Sequence, residues 1–285
     1  MTEPLLTTED LVVTYGRGRR AHQVLHGVSV CVAPGETLGL VGESGSGKTT
    51  LARAALGLAP VSAGRILFRG EDIAHVGPRD RRRLARDIQV VFQDPYTSLN
   101  PAMTIRDILT EPLVAQGVPG DKARSRVLEL LDRVAMPANS LDRYSREFSG
   151  GQRQRIAIAR ALALDPTFVV CDEPVSALDL STQRRVLDLL IEIQERTSVA
   201  YLFISHDLAV VRHVSHRVAV MLRGEIVEIG PSAQVTEHPQ HPYTQRLWAA
   251  NLVADPDEQE RRRQVRAQLN QIAADAATLS ERTTP

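Results

Sequence analysis

The 285-residue sequence predicts an α/β fold built on a mostly parallel sheet with helices on both faces. Two observations predict it. Short apolar runs bounded by turn residues recur from about residue 25 to residue 230, and stretches with helical spacing separate many of them.

The elements read in order as follows. Leu25–Ala33 carries β-branched residues at alternate positions and stops at Pro34-Gly35, the pattern of a strand. Thr37–Val41 is a short apolar strand, and Thr49–Leu58 has a helix pattern that ends near Gly57. Gly64–Phe68 and Ile88–Phe92 are further strands. From about Asp94 to Arg146 strand signals are few. There Asp121 is the expected cap of a helix over Ala123–Val134, whose Val127, Leu130, Leu131 and Val134 share one face, so the interval reads as a helical insertion. Gln152–Leu164 is a helix stopped by Asp165-Pro166. Phe168–Asp172 is a strand, Val186, Leu189, Leu190 and Ile193 form a helical stripe, and Ala200–Ser205 is a strand again. Val218–Leu222 and Glu225–Ile229 flank Arg223-Gly224 as a hairpin. From Asp255 the chain is polar, with an amphipathic-helix pattern and a frayed end at Ser280–Pro285.

Composition excludes some classes of function. Lysine plus arginine equals aspartate plus glutamate, 34 each, which weighs against a dedicated nucleic-acid binder. The basic runs Arg79–Arg86 and Arg261–Arg266 read as solvated helix faces. Cys31 and Cys171 sit in apolar runs as buried small residues, give no disulfide framework and fit a reducing cytosol. Met1–Asp10 is polar and acidic, without the pattern of a signal peptide. The longest apolar runs, such as Val218–Leu222, fall far short of the roughly 18 residues that cross a bilayer. A membrane role would have to come from a partner.

Gly42-Glu43-Ser44-Gly45-Ser46-Gly47-Lys48-Thr49, with Thr50 behind it, matches the phosphate-cradling P-loop, and it stands between a strand and a helix as that mechanism requires. Its glycines let backbone N–H groups turn toward phosphate oxygens, and the helix N-terminus adds partial positive charge. Lys48 would reach the β- and γ-phosphates and Thr49 would ligate Mg²⁺. The apolar strand Phe168–Asp172 ends in Asp172-Glu173, which suits a Mg²⁺-organising Asp172 with Glu173 as general base or water-orienting group. Taken alone, that strand end also reads as a strand leaving the core with solvated acids. His206 follows the strand ending at Ser205. A lone histidine is more often structural, but beside the other two features it reads as a γ-phosphate contact.

Phe148-Ser149-Gly150-Gly151-Gln152 then adds a third motif, and together the three resemble the ABC ATPases from about Leu5 to Pro231. The resemblance implies a P-loop NTPase (RecA-like) core, an N-terminal antiparallel β part, a helical subdomain and a short C-terminal extension. The corresponding boundaries are residues 1–93 and 150–230 for the core, 94–149 for the helical subdomain and 231–285 for the extension. It further implies that Tyr15 stacks on adenine, that Gln93 contacts Mg²⁺ and senses a membrane subunit, and that Ser176–Asp179 forms a loop, with Asp179, at a dimer interface. His206 matches the family's switch histidine. Two cassettes would pack head to tail, so that Ser149, Gly150, Gly151 and Gln152 of one close over the ATP of the other; Ser149 can cap the helix that starts at Gly150. The family's usual first leucine of that motif is Phe148 here.

Two further segments narrow the resemblance to peptide and nickel importers: Gln93–Pro101, although Ala102 stands where many relatives carry arginine, and the His-Pro-Tyr segment His238–Thr244. The cofactors implied are ATP and Mg²⁺. The partners implied are a second ABC ATPase subunit (a sibling or a copy), two membrane-spanning permease subunits and, indirectly, an extracytoplasmic solute-binding protein, with no nucleic acid. The place implied is the cytoplasmic face of the membrane. The alternatives are a soluble ABC ATPase acting on nucleic acid or ribosomes, which usually carries coiled-coil or zinc insertions or tandem cassettes, and a small-molecule kinase, in which the Ser149 segment would have no purpose.

Overall fold

The computed structural model describes residues 3–250. The chain opens with β1 (Leu6–Tyr15), β2 (His22–Val32) and β3 (Thr37–Val41), followed by α1 (Lys48–Ala55), β4 (Val61–Phe68) and β5 (Glu71–Asp72). Next come α2 (Pro78–Leu84), β6 (Ile88–Val91) and a helical stretch of α3 (Pro95–Ser98), α4 (Ile105–Ala115), α5 (Gly120–Arg133) and α6 (Gly150–Ala161). The last part runs β7 (Phe168–Asp172), α7 (Leu180–Thr197), β8 (Ala200–Ser205), α8 (Leu208–Val214), β9 (Arg217–Leu222), β10 (Glu225–Pro231), α9 (Ser232–Glu237) and α10 (Pro242–Ala250).

Six strands form the main sheet in the order β10-β9-β3-β8-β7-β6, parallel throughout except for β10 against β9. The expected mostly parallel sheet and its closing hairpin are both present. A second, antiparallel sheet of four strands, β2-β1-β4-β5, supplies the expected N-terminal β part.

Side-chain alternation explains why the main sheet is covered twice. Successive residues of a strand point to opposite faces, so a strand buried on both sides must be apolar throughout. Phe168 and Val170 of β7, with Leu202 and Ile204 of β8, join one core beside α1 and the antiparallel sheet. Val169 and Cys171, with Tyr201 and Phe203, join a second core built with α4 to α8. All of β3 and β8 is buried.

Phe168 is 0% exposed and begins the strand that leads to Asp172. Phe168→Ala should therefore destabilise the fold by about 3–5 kcal/mol, through lost burial and a residual cavity. The urea midpoint should drop accordingly; a shift worth under about 1 kcal/mol would show that the site collapses around the smaller residue.

Several boundaries and assignments are corrected. The sequence pattern assigned no strand before Leu25, yet β1 pairs with both β2 and β4 at the centre of the antiparallel sheet. Its alternation is masked by Thr8, a polar residue on the buried side, and by register irregularities between Thr8 and Val12 that shift the period of two. Asp121 is not the cap of α5: the cap position is Pro119, and Asp121 sits in the first turn. There its charge complements the helix dipole. The helix pattern at Thr49–Leu58 starts one residue earlier and ends at Ala55. Cys171 is fully buried, but Cys31 on β2 is only half-buried, with the Arg217 guanidinium against its carbonyl at 3.3 Å.

The basic run of α2 has no buried residue, yet it is more than a solvated face. Arg81 donates to the Ile73 carbonyl at 2.7 Å, just after β5, while Arg82 donates to the Ala115 carbonyl and Arg86, past the end of α2, to that of Gln116 at 3.4 Å, tying the run to the end of α4. The basic run at Arg261–Arg266 and the amphipathic tail lie outside the described residues. Among the described residues no helix is long and apolar enough to cross a membrane.

Candidate active site

Parallel strands deliver their C-terminal ends to one edge, and ligands of open α/β sheets bind outside that edge. Here β3, β8, β7 and β6 are neighbours, with Val41 opposite Ser205, Asp172 opposite Ile204 and Val91 opposite Cys171. The segments that leave them are the Gly42–Thr49 loop, His206, Asp172-Glu173 and Gln93. Far apart in sequence, they meet because the sheet order places them side by side.

Together they shape a cleft of about 460 Å³, lined by Ser44, Gly45, Gly47, Lys48, Thr49, Thr50, Gln93, Glu173 and His206, and by Val24 of β2. Val24 carried no signal in the sequence beyond its place next to a predicted strand. Gly42 starts the loop beneath the cleft. A Cβ there would stand 2.2 Å from the Met221 carbonyl oxygen, a close approach that only glycine permits.

Lys48 is 5% exposed and donates to the carbonyls of Gly42 at 2.8 Å and Glu43 at 2.9 Å. An ammonium has three donors, and those two bonds fold the loop around it. Burial lowers the Lys48 pKa, while Glu173, Asp172 and Glu43 oppose that shift. The arrangement is a buried cation at the start of α1, where the helix N-terminus adds partial positive charge, which suits a polyanion.

Thr49 Oγ1 donates to Asp172 Oδ1 at 3.3 Å. Burial raises the Asp172 pKa and Glu173 adds to the rise, while the Thr49 bond and the cations Arg53 and Lys48 oppose it. A carboxyl group of this kind gains from a nearby cation. The side chains gathered here, hydroxyl, carboxylate and amide, are the all-oxygen set that suits a hard divalent ion, so they fit Mg²⁺.

Glu173 sits at φ 48°, left-handed backbone that a non-glycine residue adopts at a cost of order 1–3 kcal/mol. Its own bonds hold it there: its N–H donates to the Ile204 carbonyl at 3.0 Å, and its carbonyl accepts from Ser176 Oγ at 3.1 Å. The side chain, 19% exposed, turns into the cleft, where Oε2 accepts from Gln93 Nε2 at 3.1 Å and lies 3.2 Å from His206 Nδ1. His206 itself is 61% exposed. One carboxylate oxygen therefore joins groups 80 and 33 residues away in sequence.

Other expected residues lie elsewhere. Tyr15, at the end of β1, is half-buried against the N-terminal core and does not line this cleft. Ser149 caps α6 as expected: its hydroxyl accepts from the Gln152 N–H at 3.4 Å, and the Gln152 side chain accepts from the Ser149 N–H at 3.0 Å. A Cβ on Gly151 would meet Thr182 Cγ2 of α7 at 2.2 Å, so this glycine also lets two helices pack closely. Beside Gly150 stand the Tyr96 hydroxyl, from the segment after Gln93, and Leu178, from the loop after Glu173. Arg153 of α6 stacks 4.4 Å above the Tyr96 ring. Asp179 caps α7, accepting from the N–H groups of Ser181 and Thr182 at 3.1 and 3.0 Å. Hydrogen bonds from Ser181 and then Thr182 hold its carboxyl well below the usual carboxylate range.

The family model described as ABC transporter matches residues 25–176, which hold the phosphate loop, Gln93, the Ser149 segment and Asp172-Glu173. The chain belongs to the ABC transporter family. This ABC transporter chain is 51% identical over 265 residues to glutathione import ATP-binding protein GsiA of Escherichia coli (strain K12), and equally so to that of Shigella boydii serotype 4 (strain Sb227). Each alignment covers 90% of the ABC transporter chain and 42% of the relative, so the chain spans less than half the length of these curated relatives. Among solved structures, cbiO1 from Clostridium perfringens, part of the ABC transporter complex cbiONQ, superposes with a TM-score of 0.75 at 29% identity, covering 83% of this chain and 92% of that one. An ATP-binding cassette in a dimeric post-hydrolysis state, bound to ADP and Pi, superposes at 0.71 with 27% identity, covering 80% and 98%. These neighbours share the P-loop α/β fold with the ABC transporter chain.

Proposed function

We propose that this chain binds and hydrolyses ATP with Mg²⁺ as the energising subunit of a membrane importer for peptides or related small solutes. The observation that carries the reading is the cleft where Lys48, Thr49, Gln93, Glu173 and His206 converge. The relatives named for glutathione import support the peptide-type cargo.

In this reading the Lys48 ammonium and the N–H groups of the Gly42–Thr50 loop other than those of Glu43 and Ser46, which bond within the protein, hold the β- and γ-phosphates. Thr49, Asp172 and Gln93 hold Mg²⁺, which when bound neutralises charge developing on the phosphate oxygens. Glu173 orients a water and takes its proton as the water oxygen bonds to the γ-phosphorus and the bond to ADP breaks. His206 contacts the γ-phosphate from the end of the neighbouring strand β8. Tyr15 stacks on adenine. Ser149, Gly150, Gly151 and Gln152 of one cassette close over the nucleotide of a second, with Asp179 at the interface. The second cassette is a sibling chain or a copy. The working assembly adds two permease subunits at the cytoplasmic face of the membrane and an extracytoplasmic solute-binding protein.

Residues 1–93 and 150–230 act as the catalytic core, 94–149 as the helical subdomain and 231–285 as the extension. The contacts that Tyr96 and Leu178 make beside Gly150 support mechanical linkage between the Gln93 segment, the Glu173 loop and the partner-facing helix.

The test is phosphate release from Mg·ATP by the full chain, alone and reconstituted with its permease subunits in lipid. Hydrolysis stimulated by the loaded solute-binding protein is expected. No response to Mg·ATP in either form would overturn the reading.

A further inference from the structure

The C-terminal segment reaches back to the phosphate loop. The phenol oxygen of Tyr243, on α10, accepts a hydrogen bond from the Glu43 N–H at 3.0 Å. On the other side of the same residue, the Glu43 carbonyl accepts from Lys48 Nζ at 2.9 Å and from the Ser46 N–H at 3.2 Å. Glu43 is thus held from outside the loop by Tyr243 and from inside by the lysine.

Tyr243 is a rigid support. It is 4% exposed and belongs to the larger core. Its own N–H donates to His241 Nδ1 at 3.2 Å. The carboxylate of Glu228, on β10, accepts from the N–H groups of Gln240 and His241 at 2.9 and 3.0 Å, which fixes the turn before α10. The phenol's pKa is raised, chiefly by burial, so it stays neutral at ordinary pH and keeps its hydroxyl in place.

Resting on the nucleotide-binding reading above, we infer that Tyr243 is a positioning residue for the phosphate loop, holding Glu43 so that the Lys48 cradle is formed before ATP arrives. A loop ordered in advance loses less entropy on binding, so removing the support weakens affinity without touching the chemistry. Coupling is reciprocal: nucleotide in the cleft should in turn steady α10.

Tyr243→Phe removes only the oxygen. In the full chain, titration calorimetry with Mg·ATP should show Kd rising about fivefold, the worth of one neutral hydrogen bond. By NMR, the Glu43 amide should exchange with solvent at least about fivefold faster without nucleotide. Thr244→Val is the control: that neighbouring hydroxyl is fully buried and has no hydrogen-bond partner among the described residues, so its loss should change neither reading. Affinity within twofold of the parent together with unchanged Glu43 exchange would overturn the inference. So would an equal loss in Thr244→Val, which would assign the effect to helix packing. If the parent chain does not bind Mg·ATP at all, the functional reading fails, while Glu43 exchange still decides whether Tyr243 holds the loop.

Discussion

Glu173→Gln should cut ATP turnover at least about 100-fold, the lower end of what a positioned general base contributes. The substitution keeps the size of the side chain and removes its charge and basicity. The backbone at φ 48° is set by bonds to Ile204 and Ser176 and does not depend on the carboxylate, so the loop should stay in place. An amide oxygen can still accept from Gln93 Nε2, which now sits 3.1 Å away. Mg·ATP affinity should remain within a few-fold of the parent, because the loop and Lys48 are untouched. Nucleotide that is bound but not cleaved should trap the paired state, seen as an ATP-dependent dimer by light scattering. Turnover at the parental rate would remove Glu173 from the role of base.

Lys48→Ala should abolish turnover and weaken Mg·ATP binding by about 100-fold or more. A hydrogen bond to a charged partner contributes roughly 1.5–3 kcal/mol, and about 2.7 kcal/mol corresponds to a hundredfold change in Kd. Lys48 has two such roles in this site. It draws the carbonyls of Gly42 and Glu43 together at 2.8 and 2.9 Å, and it brings the one buried lysine charge to the cleft floor. Alanine removes both, leaving a loop without its internal strut and phosphates without a counter-charge. Calorimetry checks the affinity, and a thermal melt checks that the variant is folded. Unchanged affinity would remove the phosphate-cradle argument.

Much of this architecture was readable in the sequence because its signals are local. The strand over Phe168–Asp172 is apolar at every core position and ends at its first charged residue. The Ser149 cap is a three-residue relation that any helix of this sequence would use. Signals failed where neighbours outside the local chain decide the outcome. β1 has polar residues such as Thr7, Glu9 and Asp10 and looks unlike a strand until β2 and β4 flank it. Asp121 had the chemistry of a cap, but Pro119 precedes it with extended backbone and α5 starts earlier. Arg81, Arg82 and Arg86 looked solvated because their carbonyl partners lie in other elements.

The sequence by itself determined the inventory of this protein: strands apolar enough to be buried on both faces, a glycine-rich loop entering a helix, and acids, an amide and a histidine just past strand ends. Only the tertiary structure decided that these ends stand together, because strand order and parallel direction arise from contacts between segments far apart in the chain. It likewise decided that Tyr243 of α10 meets Glu43 across 200 residues. Local propensity extends over a few residues, whereas a hydrogen bond at 3 Å depends on where the whole sheet carries its two ends.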